Sequence, residues 1–329
     1  MYSSTKNNKN PLYGKHVLVS GATGFIGSHV VRKLLGAGCR VAVLVRPSSD
    51  FWRLQDIWDS IEVYYGDLTD LHQNELISKL SGIQIVFHLG AAGVDQSESD
   101  SEFILQTNVL GTYALLRLAH ALKVERFIYC GSCFEYGNGN YLSEETLPQP
   151  VSEYGVSKFS ASILVDMFHR QHALATVSLR PFTVYGSFEA SYRLIPHAIM
   201  QALDGKDIAL TGGEQTRDFV FIDDVVRAFL AAAALPGIAG EIFNISTGQA
   251  VAVKEVVALI LELTASQSKA LFGTLPYRKA EIWSLSGNPA KAMNKLNWKA
   301  QASLKEGLEK TIEWFEENRQ KHPSSMTKR

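Results

Sequence analysis

Short apolar runs alternate with longer amphipathic stretches from Lys15 onward. Each run is continuously apolar, a pattern typical of strands that helices cover on both faces. The predicted strands are His16–Ser20, Val41–Val45, Ile61–Tyr65, Gln84–Leu89, Arg126–Gly131 and Thr176–Arg180. The predicted helices between them are Phe25–Ala37, Asp70–Leu80, Glu102–Leu122 and Glu153–His172. This alternation predicts β-helix-β units and a parallel sheet that binds ligands at the carboxyl ends of its strands.

After Pro181 the elements become shorter and less regular. The pattern there predicts helices at Leu194–Leu203, Asp223–Ala234, Val253–Thr264 and Leu304–Arg319, and strands near Ile208–Leu210 and Phe219–Phe221. We therefore expect an α/β fold, with a doubly wound parallel sheet over residues 15–181 and a smaller C-terminal lobe over 182–320, interleaved with the first part. The polar ends, residues 1–14 and 321–329, are expected to be disordered tails.

The composition excludes several classes of protein. The 329 residues are 46% hydrophobic and include only three cysteines, Cys39, Cys130 and Cys133. Their number and spacing support neither a disulfide framework nor a zinc site, so we expect no metal and a reducing, cytoplasmic setting. The formal net charge of −1 gives no electrostatic signal for nucleic acid or an anionic membrane. No signal peptide follows Met1, and no run reaches the roughly 20 apolar residues of a membrane span.

A glycine-rich turn follows the first predicted strand and opens the first predicted helix. Gly21, Gly24 and Gly27 are spaced three apart in Gly-Ala-Thr-Gly-Phe-Ile-Gly. Such glycines permit a tight turn and a close approach of the backbone to a pyrophosphate, while the helix N-terminus offers N–H groups to the phosphates. The turn therefore predicts a dinucleotide site, and a tight turn without a ligand is the alternative.

Candidate catalytic groups lie further along the chain. Tyr154 and Lys158 are four residues apart, which places the phenol and the ammonium on one face of a helix. A nearby cation favours the phenolate, so we expect Lys158 to lower the Tyr154 pKa from its reference value near 10. Such a phenol can give a proton to a carbonyl oxygen while hydride reaches the carbonyl carbon. Taken alone, the same spacing also suits an exposed helical turn.

With these residues the chain resembles the extended short-chain dehydrogenase/reductase family, which contains nucleotide-sugar epimerases, dehydratases and reductases. The resemblance covers roughly residues 15–314 and implies a Rossmann sheet. It also implies that Ser132, Tyr154 and Lys158 are catalytic, with Ser132 bound to the reacting oxygen. The cofactor-binding residues that it implies are Gly21, Thr23, Gly24, Phe25, Ile26, Gly27, Arg46, Asp67, Leu68, Leu89, Ala91, Ala92, Asn108, Tyr154, Lys158 and Pro181.

The residue after the second strand favours one cofactor. Family members that prefer NAD place an acid there, because a carboxylate binds the ribose hydroxyls and repels a 2′-phosphate. Here Arg46 occupies that place, and no acid follows before Asp50. A guanidinium pairs with a phosphate through two hydrogen bonds, so we expect NADP(H), with NAD(H) as the other possibility. A solvated loop charge is the alternative role of Arg46.

The loop after the fifth strand discriminates among the reactions of the family. The 4,6-dehydratases follow the serine or threonine with Asp-Glu, an acid and a base, where this chain has Cys133 and Phe134. GDP-fucose synthases use a cysteine at the place of Phe134, so we interpret Cys133 as a small buried residue. The string Gly-Ser-x-x-Glu-Tyr-Gly is most similar to the nucleotide-4-keto-6-deoxyhexose reductases. That similarity implies that Glu135 contacts sugar hydroxyls, and a surface carboxylate is the alternative.

Motifs of the C-terminal lobe imply a nucleotide-diphosphate sugar as the substrate. In the segment Arg-Pro-Phe-Thr-Val-Tyr-Gly, which resembles a family motif along the nicotinamide, Thr183 replaces the usual asparagine. Pro196 lies in a segment similar to one that packs by the nucleobase. Arg217 matches an arginine that binds the diphosphate, and Arg278 lies where a second usually stands. The implied substrate-binding residues are Ser132, Cys133, Phe134, Glu135, Thr183, Pro196, Arg217 and Arg278.

These resemblances lead to one leading hypothesis and two alternatives. The leading hypothesis is NADPH-dependent reduction of the 4-keto group of a nucleotide-activated 4-keto-6-deoxyhexose in deoxysugar biosynthesis, with Tyr154 as the proton donor. The alternatives are an NAD-dependent 4-epimerase of a UDP-sugar and a non-catalytic scaffold that senses a dinucleotide. The resemblance also implies a homodimer formed through Glu102–Leu122 and Glu153–His172, with no nucleic acid or membrane partner.

Overall fold

The computed structural model describes residues 10–70, 73–94, 100–278 and 280–318. The predicted C-terminal tail and residues 1–9 of the predicted N-terminal tail lie outside this part of the chain. Residues 11–14 contradict the predicted tail, because they form a turn and the Leu12 side chain is only 3% exposed. Asn10 accepts a hydrogen bond from the Leu12 N–H and donates one to the Ala37 carbonyl. One buried leucine and one side-chain cap therefore anchor a segment whose composition is otherwise polar.

The helices and strands follow the predicted order closely. The strands are β1 (His16–Ser20), β2 (Arg40–Val45), β3 (Glu62–Tyr65), β4 (Ile85–His88), β5 (Arg126–Cys130), β6 (Gly139–Leu142), β7 (Thr176–Pro181), β8 (Thr183–Tyr185), β9 (Ile208–Ala209), β10 (Thr216–Arg217), β11 (Phe219–Phe221), β12 (Ile242–Ile245), β13 (Val251–Ala252), β14 (Ala270–Leu271) and β15 (Ser284–Gly287). The α-helices are α1 (Phe25–Gly36), α2 (Gln73–Lys79), α3 (Ser101–Leu105), α4 (Gly111–Ala121), α5 (Glu153–His172), α6 (Leu194–Leu203), α7 (Ile222–Ala234), α8 (Val253–Leu263), α9 (Ala290–Lys295) and α10 (Leu304–Asn318). Shorter helical segments are the 3₁₀ helices Trp52–Ser60 and Cys133–Glu135 and the π-helix Gln106–Leu110.

Seven strands form one sheet in the order β12-β7-β5-β4-β1-β2-β3. Every neighbouring pair in it is parallel. The predicted doubly wound α/β fold is therefore confirmed. The chain runs outward from β1 in one direction and from β4 in the other, so the carboxyl ends of these two strands border the crevice where such sheets bind ligands.

The core lies on both faces of this sheet. Along β1, Val17 and Val19 belong to one buried cluster, whereas Leu18 belongs to the cluster on the opposite face. Successive side chains of a strand point to opposite faces, so a strand covered on both sides must be apolar at every position. This requirement explains why β1 reads as an unbroken apolar run.

The two halves of the chain exchange strands. From the C-terminal half, β12 pairs with β7 at the edge of the main sheet, while β6 of the first half pairs with β15. The predicted boundary at residue 181 therefore does not limit the main sheet. The apolar pattern missed β12 because its four residues include the buried polar Asn244. No helix among the described residues has the length and hydrophobicity needed to cross a membrane.

Candidate active site

The glycine-rich turn joins β1 to α1 with no room for larger side chains. Gly21 has φ of +72°, and a Cβ there would lie 2.4 Å from Gly90 N at the end of β4. A Cβ on Gly27 would lie 2.0 Å from the Gly21 carbonyl oxygen. The N-terminus of α1 has no side-chain cap and no acid in its first turn. Its backbone N–H groups therefore suit an anionic ligand, so the turn fits a dinucleotide pyrophosphate.

Beside the glycine-rich turn, the buried His88 side chain at the end of β4 contacts two hydroxyl groups. The His88 ring lies 2.7 Å from Ser20 Oγ and 2.8 Å from Thr112 Oγ1. Burial, and then the Lys158 charge, lower the His88 pKa to about 3, so the ring is neutral. Leu89 and Ala91 are partly exposed at this edge, whereas Ala92 is buried.

Asn108 belongs to this support and not to the ligand surface. Its Oδ1 accepts from the Ala92 N–H at 2.7 Å, and its Nδ2 donates to the Ala92 carbonyl and to Ser157 Oγ at 2.9 Å each. The side chain is buried, with 1% of its surface exposed. The expectation that Asn108 contacts the cofactor is corrected, because these protein contacts occupy its amide.

Arg46 follows β2 directly, and its side chain is exposed. Its N–H donates to Ser49 Oγ at 3.1 Å, which closes a short turn at the carboxyl edge of the sheet. After β3, Asp67 Oδ1 accepts from the Thr69 N–H at 2.9 Å. Leu68 packs where a Cβ on Gly90 or Gly111 would meet its side chain, and so lies close to the end of β4.

The three predicted catalytic residues come together at the carboxyl ends of the strands. Ser132 directly follows β5 after one glycine, and Tyr154 and Lys158 lie in the first turns of α5. Ser152 caps α5 by accepting from the Gly155 N–H at 3.1 Å. A hydrogen bond from Ser132 to the Tyr154 phenol opposes the rise of its pKa. Ser132 and Tyr154 are therefore in contact, and Lys158 follows Tyr154 by one turn on α5. Their catalytic role stays a prediction.

The expected effect of Lys158 on Tyr154 is corrected. Burial raises the Tyr154 pKa well above its ordinary value, and the nearby Cys130 adds to the rise. The Lys158 ammonium lies over the Tyr129 ring, 4.5 Å from its centroid. Burial lowers the Lys158 pKa in turn. Because burial outweighs the hydrogen bond from Ser132, Tyr154 is a phenol at neutral pH, which is the form that donates a proton.

Phe134 and Cys133 give this site an apolar wall. The Phe134 ring meets the Tyr154 ring edge to face, with centroids 6.0 Å apart at 76°. Cys133 is 1% exposed, and burial raises its pKa to about 12. Its thiol therefore stays protonated near neutral pH, and neither side chain supplies an acid–base pair.

Glu135 matches neither of its expected roles. It is fully buried and forms an ion pair with Arg180, with 2.8 Å between Oε2 and the guanidinium nitrogen. A carboxylate with no exposed surface contacts neither a sugar nor bulk water. Burial alone would lower the Arg180 pKa, but Glu135 and Tyr136 together hold it above its ordinary value.

The predicted substrate residues of the second half divide into two groups. Arg217 is partly buried and forms an ion pair with Glu281 at 3.1 Å. Arg278 is exposed. Burial is the main cause that lowers the Arg217 pKa, and the charge of Arg278 lowers it further. Thr183 is partly exposed, and its N–H donates to the Asp218 carbonyl at 2.8 Å. Pro196, by contrast, is buried in α6, which corrects its expected substrate contact.

Sequence reasoning missed Arg53 as a partner of the glycine-rich turn. Its side chain donates to the Thr23 carbonyl at 3.3 Å and to the Phe188 carbonyl at 2.9 Å. Burial lowers its pKa to about 10. The sequence signal for it was weak, a second arginine that follows Arg46 and lies in the 3₁₀ helix Trp52–Ser60. Pro181, which was predicted to bind the cofactor, is buried at the end of β7.

The glycine-rich turn and the parallel sheet are typical of proteins that bind a dinucleotide. The sequence profile of the NAD dependent epimerase/dehydratase family matches residues 17–246. The chain therefore belongs to this family.

Its relatives include enzymes of different reactions. A dTDP-D-glucose 4,6-dehydratase of Homo sapiens is 31% identical over 326 residues, which covers 93% of this chain and 91% of the relative. A UDP-glucose 4-epimerase of Thermotoga maritima, solved with UDP-glucose, is 32% identical with a TM-score of 0.86, covering 92% of this chain and 99% of that chain. The dTDP-glucose 4,6-dehydratase DesIV of Streptomyces venezuelae, solved with NAD bound, is 28% identical with a TM-score of 0.84, covering 94% and 99%.

Proposed function

We propose that the protein reduces the 4-keto group of a nucleotide-activated 4-keto-6-deoxyhexose with NADPH. The observation that carries this proposal is the apolar contact of Phe134 with Tyr154. It leaves the site with one proton donor and an apolar wall, which suits a reaction that adds a proton and a hydride. Removal of water needs an acid and a base, which Cys133 and Phe134 do not provide.

The residues have distinct roles in this proposal. Ser132 Oγ accepts from the Phe134 N–H at 3.2 Å, and its one proton is donated to the Tyr154 phenol. In this proposal that proton turns to the carbonyl oxygen of the sugar when the substrate binds. NADPH, when bound at the glycine-rich turn, would supply a hydride to the carbonyl carbon. Tyr154 gives its proton to the oxygen, and the ketone becomes a secondary alcohol. Lys158 provides the positive charge on the cofactor side, and Arg217 with Arg278 holds the diphosphate.

Arg46 supports NADPH as the reductant. Its exposed guanidinium stands at the end of β2, where the 2′ position of the adenosine ribose lies in such sheets. The related DesIV was solved with NAD, so the preference for NADPH is a property proposed for this chain.

Purified protein, NADPH and a panel of nucleotide-4-keto-6-deoxyhexoses test the reductase directly. We expect NADPH oxidation with at least one sugar, and a matching 4-hydroxy sugar by mass spectrometry. Tyr154→Phe is the matched control, because it keeps the ring and removes the proton donor. No oxidation with any sugar would refute the reductase.

A 4-epimerase of a UDP-sugar is the second candidate, and the similarity to the Thermotoga maritima epimerase favours it. Such an enzyme uses the same serine, tyrosine and lysine but retains its cofactor between turnovers. Denaturing the purified protein and identifying the released dinucleotide distinguishes the two. Stoichiometric NAD together with interconversion of UDP-glucose and UDP-galactose would favour the epimerase over the reductase.

A non-catalytic dinucleotide sensor is the third candidate. The assembled Ser132, Tyr154 and Lys158 argue against it, because a sensor has no need of a proton donor. Tyr154→Phe separates the two roles. A variant that binds the dinucleotide and keeps the full cellular phenotype of the wild type would support the sensor.

A further inference from the structure

A buried charge pair lies directly beneath Ser132. Glu135 is 0% exposed and Arg180 is 3% exposed, and both Nε and a terminal nitrogen of the arginine reach the same carboxylate oxygen, at 2.9 and 2.8 Å. Moving two charges out of water is costly unless both are fully paired and hydrogen-bonded. A contribution to stability therefore does not by itself explain why this charge pair is buried here.

The other oxygen of Glu135 contacts the catalytic loop. Its Oε1 accepts from the Ser132 N–H at 2.8 Å, while Ser132 Oγ accepts from the Phe134 N–H at 3.2 Å. These two bonds form a capping box around the short helix Cys133–Glu135. The bond to Glu135 fixes the backbone of Ser132, and the bond from Phe134 fixes the position of the Ser132 Oγ atom.

The backbone around the pair is shaped to admit the carboxylate. A Cβ on Gly131 would lie 2.6 Å from Glu135 Oε1 and 3.2 Å from Arg180 Cγ. A glycine between β5 and Ser132 thus leaves the space that the Glu135 carboxylate occupies beneath the loop. The same carboxylate accepts from Ser162 Oγ at 2.8 Å, which ties the loop to α5.

The network then reaches the far edge of the sheet. Arg180 on β7 donates to the Tyr136 hydroxyl at 2.8 Å, and this hydroxyl donates to Asn244 Oδ1 at 2.8 Å. Asn244 on β12 donates to the Leu142 carbonyl at 2.8 Å. The loop that carries Ser132 is thus bonded to α5, β7 and β12, so its position depends on rigid elements.

We propose that Glu135, with Arg180 as its counter-charge, is a positioning residue that holds the Ser132 hydroxyl in place for the reacting oxygen. Glu135 itself contacts neither substrate nor cofactor. The inference rests on the proposed function, because it takes Ser132 as the group that binds the reacting oxygen. It assigns the glutamate of the Gly-Ser-x-x-Glu-Tyr-Gly string to the support of that serine.

Two double variants test the hydrogen bond from the Ser132 N–H to residue 135 in the absence of the charge pair. Glu135→Gln with Arg180→Met keeps an acceptor for the Ser132 N–H, whereas Glu135→Leu with Arg180→Met removes it. Neither leaves a buried charge unpaired, so both avoid the largest cause of unfolding. We expect the leucine variant to lose roughly 10- to 100-fold in kcat relative to the glutamine variant, because a small misplacement of a catalytic group slows the reaction strongly. The KM values for NADPH and sugar should match between the two.

Asp224→Asn is the control for buried carboxylates away from the loop. Asp224 is 3% exposed, pairs with Arg227, and accepts from the N–H groups of Gln301 and Ala302. Its loss should lower the melting temperature and leave kcat unchanged. Equal kcat in the glutamine and leucine variants, at equal melting temperature, would overturn the proposal.

The readout does not depend on which reaction the protein performs. The kcat ratio of the two variants is measured on whichever nucleotide sugar the wild type turns over, whether by reduction or by epimerisation. A wild type inactive on every 4-keto sugar refutes the reductase alone. Crystal structures of both variants give a second readout, since Ser132 Oγ should move only in the leucine variant. An unmoved Ser132 in that variant would overturn the positioning role without bearing on the reductase.

Discussion

The proposed preference for NADPH over NADH depends on one exposed side chain, that of Arg46. Arg46→Ala should reduce kcat/KM for NADPH by roughly 10- to 100-fold, because a hydrogen bond to a charged group contributes about 1.5 to 3 kcal/mol. The value for NADH should stay close to that of the wild type. Steady-state kinetics with both dinucleotides measures the change.

Arg40→Ala is the matched control for this prediction. Arg40 is an exposed arginine at the opposite end of the same strand, where it pairs with Glu62. Its loss should leave the ratio of NADPH to NADH activity unchanged. An equal loss of activity with both dinucleotides in Arg46→Ala would contradict a contact with the 2′-phosphate.

Cys133 illustrates how burial decides the chemistry of a side chain. Its pKa of about 12 lies far above neutral, so the reactive thiolate becomes populated only as the pH approaches 12. We expect iodoacetamide to leave Cys133 unmodified in the folded protein at pH 8, as peptide mass spectrometry can show. Cys133→Ser should retain near wild-type kcat. Rapid labelling, or a kcat lowered by orders of magnitude, would mean that the cysteine is an active acid or base.

At the scale of elements, the helix predicted over residues 102–122 is the most informative difference. Its periodicity is continuous, yet the chain forms α3, a π-helical segment over Gln106–Leu110 and then α4. The extra residue of a π turn places Asn108 where its amide reaches Ala92 and Ser157. Apolar spacing reports which face is buried, and it carries no information about this tertiary bonding.

Asn108→Ala tests what this segment contributes. The substitution leaves the Ala92 N–H and carbonyl buried without their partner, so the free energy of unfolding should fall by about 2 to 4 kcal/mol. Chemical denaturation measures it, and titration with NADPH should show weaker binding because the segment after β4 loosens. Gln106→Ala is the control, since Gln106 is exposed and its side chain donates to Glu102 at the surface. Equal stability of the two variants would contradict the supporting role of Asn108.

At the scale of the whole molecule, exposed apolar side chains gather on neighbouring helices. Leu110, the last residue of the π-helix, is 60% exposed, and Tyr113 on α4 is 40% exposed. Val156 and Ile163 on α5 are 42% and 50% exposed. The two helices pack against each other, and Val156 and Ile163 lie two turns apart on one face. Exposed apolar patches mark interaction surfaces, and we propose that this one is the interface of the homodimer that the family resemblance implies.

Sedimentation analysis tests the dimer. The wild type should sediment as a dimer, and Leu110→Glu combined with Ile163→Glu should sediment as a monomer, because charged side chains are depleted from the core of an interface. Leu271→Glu, at an apolar position that is 38% exposed on β14, is the control and should stay dimeric. A wild type that is monomeric across the concentration range would contradict the dimer.

Local pattern determined the parallel sheet and the candidates for the reacting groups. Residues that lie close along the chain, such as Gly21 with Gly27 or Tyr154 with Lys158, create their geometry within one turn or one helix. Their proximity can therefore be predicted before any folding is known, whereas their roles are implied by the family resemblance. The continuous apolar runs likewise require burial on both faces, which is why the six predicted strands of the main sheet formed as expected.

Only the tertiary structure decided what surrounds those groups. The pairing of Glu135 with Arg180, 45 residues apart, removes the glutamate from the substrate surface. Burial reverses the expected change in the Tyr154 pKa, because desolvation depends on everything packed around the phenol. The strand β12 completes the sheet although its own residues carry a weak signal. In each case the deciding quantity is a contact between distant segments, which no local pattern contains.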